Sequence, residues 1–317
     1  MSPGILIRLR IRILEARFRM VPRISNSLVS VAVIAATVVV GGSNLPQAVV
    51  VGLDVMTFNL RTANVDDGAN SWPNRKEFVA DLIRRRGPDI IGLQEVVREQ
   101  IEFLEDVLPH YRWLGIDRGL NGGEGLSEYT PIFYRHAELS PIASGNFWLS
   151  ETPDTPPEIR EIRGRRRRFG RIVTWARFHH VTTGRAVYFY NTHLTIRQGQ
   201  RQLESANLIV ERMAALPDDS LVIVTGDFNA PAETSATWRA VTADGLLDAW
   251  VIAEQRQGPA FTLSEFGPPV DWDVGRIDWI LVDGPFSVRS IETVIDHDRG
   301  RYPSDHYPVT AHLEFEH

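Results

Sequence analysis

From Leu53 onward, short apolar runs end in polar or acidic side chains and alternate with stretches whose apolar positions recur at helical spacing. Residues 54–58 predict a strand ending at Asn59, and 74–86 predict a helix with Phe78, Leu82 and Ile83 on one face. The next strand, 89–93, ends at Gln94 and Glu95, and a helix over 98–108 carries Ile101, Leu104 and Leu108. Strands follow at 111–116, 129–135, 138–148, 172–180 and 186–193, then a helix at 199–215 closed by Pro217. The apolar strand 221–224 runs into Thr225-Gly-Asp-Phe-Asn229, and the last third gives strands near 276–282, 286–294 and 308–314. Consecutive strands without intervening helices imply antiparallel pairing beside βαβ units, so two packed mixed sheets in an α/β chain fit better than one doubly wound sheet.

The N-terminus follows a different pattern. Residues 1–23 hold six arginines against Glu15, and 28–40 are almost wholly apolar before Gly41-Gly-Ser43. A basic segment, an apolar segment of this length and then small residues read as an export signal, whereas a span needs about 20 apolar residues. Met20 offers a shorter start, an uncleaved membrane anchor is one alternative, and a buried element of the domain is another. Residues 1–45 are therefore set apart from a domain at 46–317, expected to be exported or anchored with its catalytic part outside the cytoplasm, and expected to be a monomer.

Composition narrows the chemistry. The chain of 317 residues has no cysteine, which excludes disulfides, thiolate metal sites and cysteine nucleophiles and leaves oxygen and imidazole as metal donors. Charge is unevenly placed: the whole chain carries −6 and residues 1–23 carry +5, leaving −11 for the remainder. Within that remainder, 160–171 hold seven arginines against Glu161. Following the Pro-rich 152–157, this run predicts a loop beside the site, as a polyanion-binding element through Arg165 and Arg166 or as a solvated charge run. Lys76 is the only lysine, a bias that codon composition explains without a function.

Carboxylates, amides and imidazoles fall just past the apolar strands, where layered α/β proteins build their sites. They are Asn59 in Thr57-Phe-Asn-Leu60, Glu95 in Gly92-Leu-Gln-Glu-Val96, Asn191-Thr-His-Leu194, Gly226-Asp-Phe-Asn229, Arg276-Ile-Asp-Trp-Ile280 and Ser304-Asp-His306. Each alone reads equally as a turn or cap, but the six in this order resemble the endonuclease/exonuclease/phosphatase superfamily over about 55–313. That resemblance implies a four-layer sandwich of two sheets flanked by helices (the DNase I-like fold), a divalent metal, usually Mg²⁺ with Mn²⁺ as a substitute, and hydrolysis of phosphoester bonds.

By the same resemblance, Glu95, Asn59 and Asp305 serve the metal. Asp227 orients or deprotonates the attacking water, and Asn229 holds a phosphate oxygen or the metal's shell. His193 contacts phosphate or protonates the leaving group, and His306, oriented by Asp278, stabilises developing charge. Asn191 is expected at the substrate, and Arg276 either there, paired with a carboxylate of the site, or in a structural salt bridge. Glu128 stands where some family nucleases place a carboxylate partner for the first histidine, with a surface glutamate as the alternative. One departure touches specificity: relatives often follow Asn-Thr-His-Leu with Asp and His, and this chain has Thr195, Ile196 and Arg197. The expected function is phosphodiester cleavage in nucleic acid or a nucleotide-like substrate. A phosphatase or phospholipid phosphodiesterase, favoured by membrane association through the N-terminus, and a noncatalytic polyanion-binding protein are the alternatives.

Overall fold

The computed structural model describes residues 50–119, 127–162, 165–168, 170–197, 199–270 and 274–316, with backbone only at 159–162 and 165–168. The leader read at 1–45 and the side chains of Arg165 and Arg166 lie outside the described residues. In chain order the elements are β1 (Val50–Asn59), α1 (Trp72–Arg86), β2 (Ile90–Gln94), α2 (Arg98–Val107), β3 (Tyr111–Leu114), β4 (Ile132–Arg135) and β5 (Leu139–Trp148). Next come β6 (Ile159–Ile162), β7 (Arg165–Arg168), β8 (Ile172–His180), β9 (Ala186–His193), α3 (Gln200–Met213), β10 (Leu221–Asp227) and α4 (Ala236–Thr242). The chain ends with β11 (Leu247–Asp248), α5 (Ala249–Ile252), β12 (Gln255–Gln257), β13 (Asp278–Asp283), β14 (Phe286–Thr293) and β15 (Val309–Glu316).

Two mixed sheets result, ordered β12-β14-β15-β1-β2-β4-β3 and β11-β13-β10-β9-β8-β5. At their centres β1 runs parallel to β2, and β9 parallel to β10. Strand alternation explains the layering. Val55 of β1 and Ile223 of β10 face the core between the sheets. Their neighbours Met56 and Val224 face outward, Met56 into a core with Val79, Leu82 and Ile83 of α1, and Val224 into one with Ala206 and Ile209 of α3. Helices therefore cover both outer faces, giving the four-layer α/β sandwich.

The differences from the sequence reading have local causes. Helix α1 starts at Trp72, ahead of 74, because Pro73 is tolerated in the first turn, and it stops where Gly87 adopts a left-handed conformation (φ 58°). Its buried face is Val79, Leu82 and Ile83, with Phe78 only half-buried. The strand expected from 129 begins at Ile132, after Pro131, which has no N–H for the ladder. Strand β10 runs three residues further than expected, to Asp227, because Gly226 leaves room for the Thr192 carbonyl of β9, which a Cβ would meet.

The arginine-rich stretch is not a plain loop: β6 and β7 pair as an antiparallel hairpin, Ile159 opposite Arg168 and Ile162 opposite Arg165. A two-residue connection ending in Gly164 is the signal for such a hairpin. Among the described residues, no helix is long and apolar enough to cross a membrane.

Candidate active site

Because β1 and β2 are parallel, and β9 and β10 likewise, their C-terminal ends lie at one edge of each sheet. Asn59, Glu95, His193 and Asp227 occupy those ends. Antiparallel β13 starts at the same edge, with Asp278 opposite Asp227, and His306 precedes β15. Glu95 (φ 59°) and Asn229 (φ 49°) are both left-handed, uncommon for residues with a Cβ. Each follows a strand immediately or by one residue, so the turn redirects its side chain.

Hydrogen bonds tie the set together. Asn59 Nδ2 donates to Glu95 Oε1 (3.2 Å) and to Asp227 Oδ2 (3.0 Å). The Asn229 backbone N–H donates to Asp227 Oδ1 (2.9 Å), and its amide Nδ2 donates to His193 Nε2 (3.0 Å) and to the Leu194 carbonyl (3.0 Å). His306 Nδ1 bonds Asp278 Oδ2 at 2.9 Å, leaving its Nε2 3.9 Å from Asp227 Oδ2. His193 Nε2 is 3.5 Å from that same oxygen.

Environment sorts the protonation states. Burial, reinforced by the charge of Asp278, pushes the Asp227 carboxyl up to about 7. The two imidazoles diverge. Burial, then the charges of Arg171 and Arg118, hold His193 well below its usual value and neutral. Burial also works against charge on His306, but the Asp278 carboxylate, with Asp227 and Asp305, holds it well above the usual range. A buried neutral acceptor and a buried cation thus flank one carboxylate. Since the Asn229 amide nitrogen can only donate, His193 Nε2 is the acceptor, which leaves the protonation of a leaving group to His306.

Several residues expected at the site have other tasks. The Asn59 amide oxygen accepts from the Arg61 backbone N–H (2.9 Å), and its nitrogen orders the Glu95 and Asp227 carboxylates. Asn191 is fully buried between the sheets, not at the substrate. It donates to the Leu93 and Pro131 carbonyls (2.8 and 3.0 Å) and accepts from Gln94 and Thr225 (2.7 and 3.2 Å). Gly92 belongs to this strut, because a Cβ there would collide with Thr225 Oγ1 and Asn191 Oδ1. Glu128 does not partner His193: its carboxylate takes Arg118 at 2.9 Å. Asp305 sits beside Arg61 (3.5 Å) and accepts from Ser304 Oγ (3.2 Å). Among the buried histidines outside any motif, His180 is held by Thr183 Oγ1 (3.0 Å).

Arg276 is likewise turned away. Its buried guanidinium bonds both Asp248 oxygens (3.2 and 2.9 Å) and Glu233 (3.1 Å). Replacing it with Met leaves the buried Asp248 charge uncompensated, a loss of about 3–5 kcal/mol in urea unfolding. The folded variant is expected to keep the KM of the parent; a raised KM at unchanged stability would return Arg276 to the substrate.

Two features escaped the sequence reading. Arg75, buried in α1, donates to the Pro303 carbonyl (3.0 Å), the Arg61 carbonyl (2.7 Å) and the Leu60 carbonyl, clamping the segments that follow Asn59 and precede His306. Arg118 and Arg171 bring two cations to the edge of the site. Helical periodicity gives a buried arginine no signal, and Arg171 was hidden at the end of a charge run.

The donors suit a hard divalent cation. Ligand atoms of Glu95, His193 and Asp227 lie within 4.8 Å of one another, as do those of Asp227, Asp278 and His306. With His193 Nε2 taken by Asn229, the carboxylates of Glu95 and Asp227 remain, matching an ion that takes one or two protein carboxylates and keeps its waters. A proton on Asp227 competes with such an ion. Mg²⁺ affinity measured by calorimetry is therefore expected to fall about tenfold per pH unit below about 7, with protons released on binding. Affinity that stays flat between pH 5.5 and 8 would remove Asp227 from the cation site.

Comparison with known proteins gives consistent relatives. The model of the Endonuclease/Exonuclease/phosphatase family matches residues 56–306. A crystal structure of a Bacteroides thetaiotaomicron protein of that family is 31% identical, covers 85% of this chain and 97% of its own, and superposes with a TM-score of 0.76. A mannosyl-6-phosphatase from Bacteroides thetaiotaomicron is 32% identical, with 82% of this chain and 99% of that chain covered and a TM-score of 0.73. The uncharacterized Escherichia coli protein YbhP is 27% identical over 268 residues, 81% of this chain and 96% of YbhP.

Proposed function

The chain belongs to the endonuclease/exonuclease/phosphatase family, and on that premise we propose that it is a Mg²⁺-dependent phosphatase that removes a terminal phosphate from a small polar, sugar-like molecule. Members of the family are hydrolases acting on phosphoester bonds. The observation that carries the reading is the convergence of Glu95, Asp227, Asn229 and the Asp278–His306 pair on one sheet edge. The choice of a phosphate monoester rests on the 32% identity to a mannosyl-6-phosphatase.

A bound divalent cation would be held by Glu95 and Asp227 and would neutralise phosphoryl oxygens, making the phosphorus more open to attack. The chain's own residues supply the rest. Asn229 holds Asp227 Oδ1 and Asn59 holds Oδ2, so the carboxylate is fixed in orientation, and Oδ2, which both imidazoles face, is the oxygen that would orient a water and take its proton. His306, kept cationic by Asp278, faces Asp227 through Nε2 and provides charge stabilisation and a proton for the leaving oxygen. Neutral His193, capped by Asn229, walls the other side without adding charge.

Cleavage of nucleic acid is the second reading, favoured by the β6–β7 hairpin, whose strand 165–168 is four consecutive arginines. Replacing those four with Ser would then weaken binding to long polyanions and flatten its salt dependence. Export by residues 1–45 belongs to the proposal as well, and fractionation of the producing cells tests it.

A substrate panel with the purified full-length chain and Mg²⁺ decides between the readings. Phosphate release from mannosyl and other sugar 6-phosphates is expected to exceed turnover of DNA, RNA and phospholipids. Cleavage of a nucleic acid or phospholipid without release from any monoester would overturn the phosphatase reading.

A further inference from the structure

We propose that Arg75 is a positioning residue for the reaction: its guanidinium sets the spacing between the cation-holding end of the site, at Glu95, and the proton-donating end, at His306. This deepens the phosphatase reading and rests on it.

The geometry starts from a planar fork. Arg75 lies in the first turn of α1 and is 4% exposed. Its Nε donates to the Asn70 carbonyl (2.9 Å), Nη2 to the Arg61 carbonyl (2.7 Å), and Nη1 to the carbonyls of Leu60 and Pro303, the latter at 3.0 Å. Leu60 and Arg61 follow β1, whereas Pro303 lies ahead of β15, so one rigid group joins stretches from opposite ends of the domain sequence. Each stretch leads straight to the site. Next to Arg61, the Thr62 N–H donates to Glu95 Oε2 (3.3 Å). Next to Pro303, Ser304 Oγ donates to the Asn59 carbonyl (2.6 Å) and accepts from the His306 N–H (3.3 Å).

The surroundings show that this group is held for its shape. Its partners are four carbonyl oxygens and, among the described residues, no carboxylate. Burial lowers its pKa to about 10, so it stays cationic at neutral pH. A buried cation without a carboxylate costs more than an apolar side chain of similar size, so packing alone does not account for Arg75. The guanidinium lies over the rings of Trp72 (5.2 Å from the centroid) and Phe266 (5.7 Å). Phe266 reaches that place through two successive left-handed residues, Glu265 (φ 47°) and Phe266 (φ 59°). Residues with a Cβ hold such a conformation where their surroundings enforce it. The same turn grips the Asp305 carbonyl through the Ser264 and Glu265 N–H groups (2.7 and 3.0 Å), so ring, guanidinium and the His306 segment form one unit. A lysine would keep the charge there but not the planar fork that bonds in several fixed directions at once.

The test uses the full-length chain and its Arg75→Lys, Arg75→Ala and Phe266→Gly variants. Both kcat and KM are measured on 4-nitrophenyl phosphate, and Mg²⁺ binding is followed by calorimetry. Because Arg75→Lys keeps the charge, what it loses is geometry: kcat is expected to fall about 10²-fold with KM within about twofold of the parent, and Mg²⁺ binding to weaken several-fold. Guanidinium chloride at a non-denaturing concentration is expected to raise kcat of Arg75→Ala at least about tenfold, whereas methylammonium chloride does not, and neither salt changes the parent. Phe266→Gly removes the ring at a position whose φ suits glycine, so it is expected to fold and to lose kcat several-fold at unchanged KM. If Arg75→Ala does not fold, the Lys and Gly variants decide. The parent's kcat in either of those two, rescue by methylammonium equal to that by guanidinium, or a loss confined to KM would overturn the assignment. A parent that hydrolyses no monoester would overturn the phosphatase reading instead. Mg²⁺ affinity in Arg75→Lys then decides the positioning role on its own, since weaker binding supports it and unchanged binding overturns it.

Discussion

Replacing Asp227 with Asn is expected to lower kcat by about 10³- to 10⁴-fold at saturating Mg²⁺ while KM changes little. Asp227 is the residue on which the site converges. Asn59 and the Asn229 N–H hold one oxygen each, and both imidazoles face Oδ2. The amide retains the shape and loses the proton acceptor and the charge. A melting temperature equal to or above the parent's is expected, because the substitution also removes a carboxyl that burial had forced up to about 7. Loss of less than about tenfold in kcat would assign the proton transfer elsewhere.

The second large effect is expected from Asp278→Asn. Asp278 Oδ2 is bonded to His306 Nδ1, its backbone N–H donates to Thr262 Oγ1 (3.1 Å), and its Oδ1 is buried without a hydrogen-bond partner. It therefore fixes both the tautomer and the charge of the imidazole. Removing the carboxylate leaves burial, which disfavours the cation, as the main influence on His306. Turnover is expected to fall by about 10³-fold or more, by analogy with other carboxylate–histidine pairs. The alkaline limb of the kcat profile is expected to move to lower pH, since His306 now loses its proton sooner. A large loss with no shift of that limb would mean that Asp278 only supports the fold.

The fold was legible because its strands end where chemistry begins. Apolar runs such as 221–224 announced buried central strands, and the residues just beyond them announced the crevice. Residues whose roles depend on partners distant in sequence were less legible. Asn191 carries the same motif as His193 and shares its face of β9, but it lies two residues further from the strand end, between the sheets, where Gln94 and Thr225 use its oxygen. Arg276 stands two residues from Asp278 and turns to Asp248, a carboxylate nothing local singles out. Glu128 has Arg118 as its partner, a pairing set by the bridge between Asp117 and Tyr129 that no periodicity encodes. In the basic run 160–171, composition points to a loop, whereas 159–162 and 165–168 pair as antiparallel strands.

The central claim is that the cluster around Asp227 is a divalent-cation-dependent phosphatase site. Inorganic phosphate released from a mannosyl 6-phosphate by the full-length chain tests it most directly, measured with Mg²⁺, with a chelator in its place, and with the Asp227→Asn variant. The account predicts turnover that requires the cation and falls about 10³-fold or more in the variant. Release that persists in the chelator, or is equal in parent and variant, would contradict it.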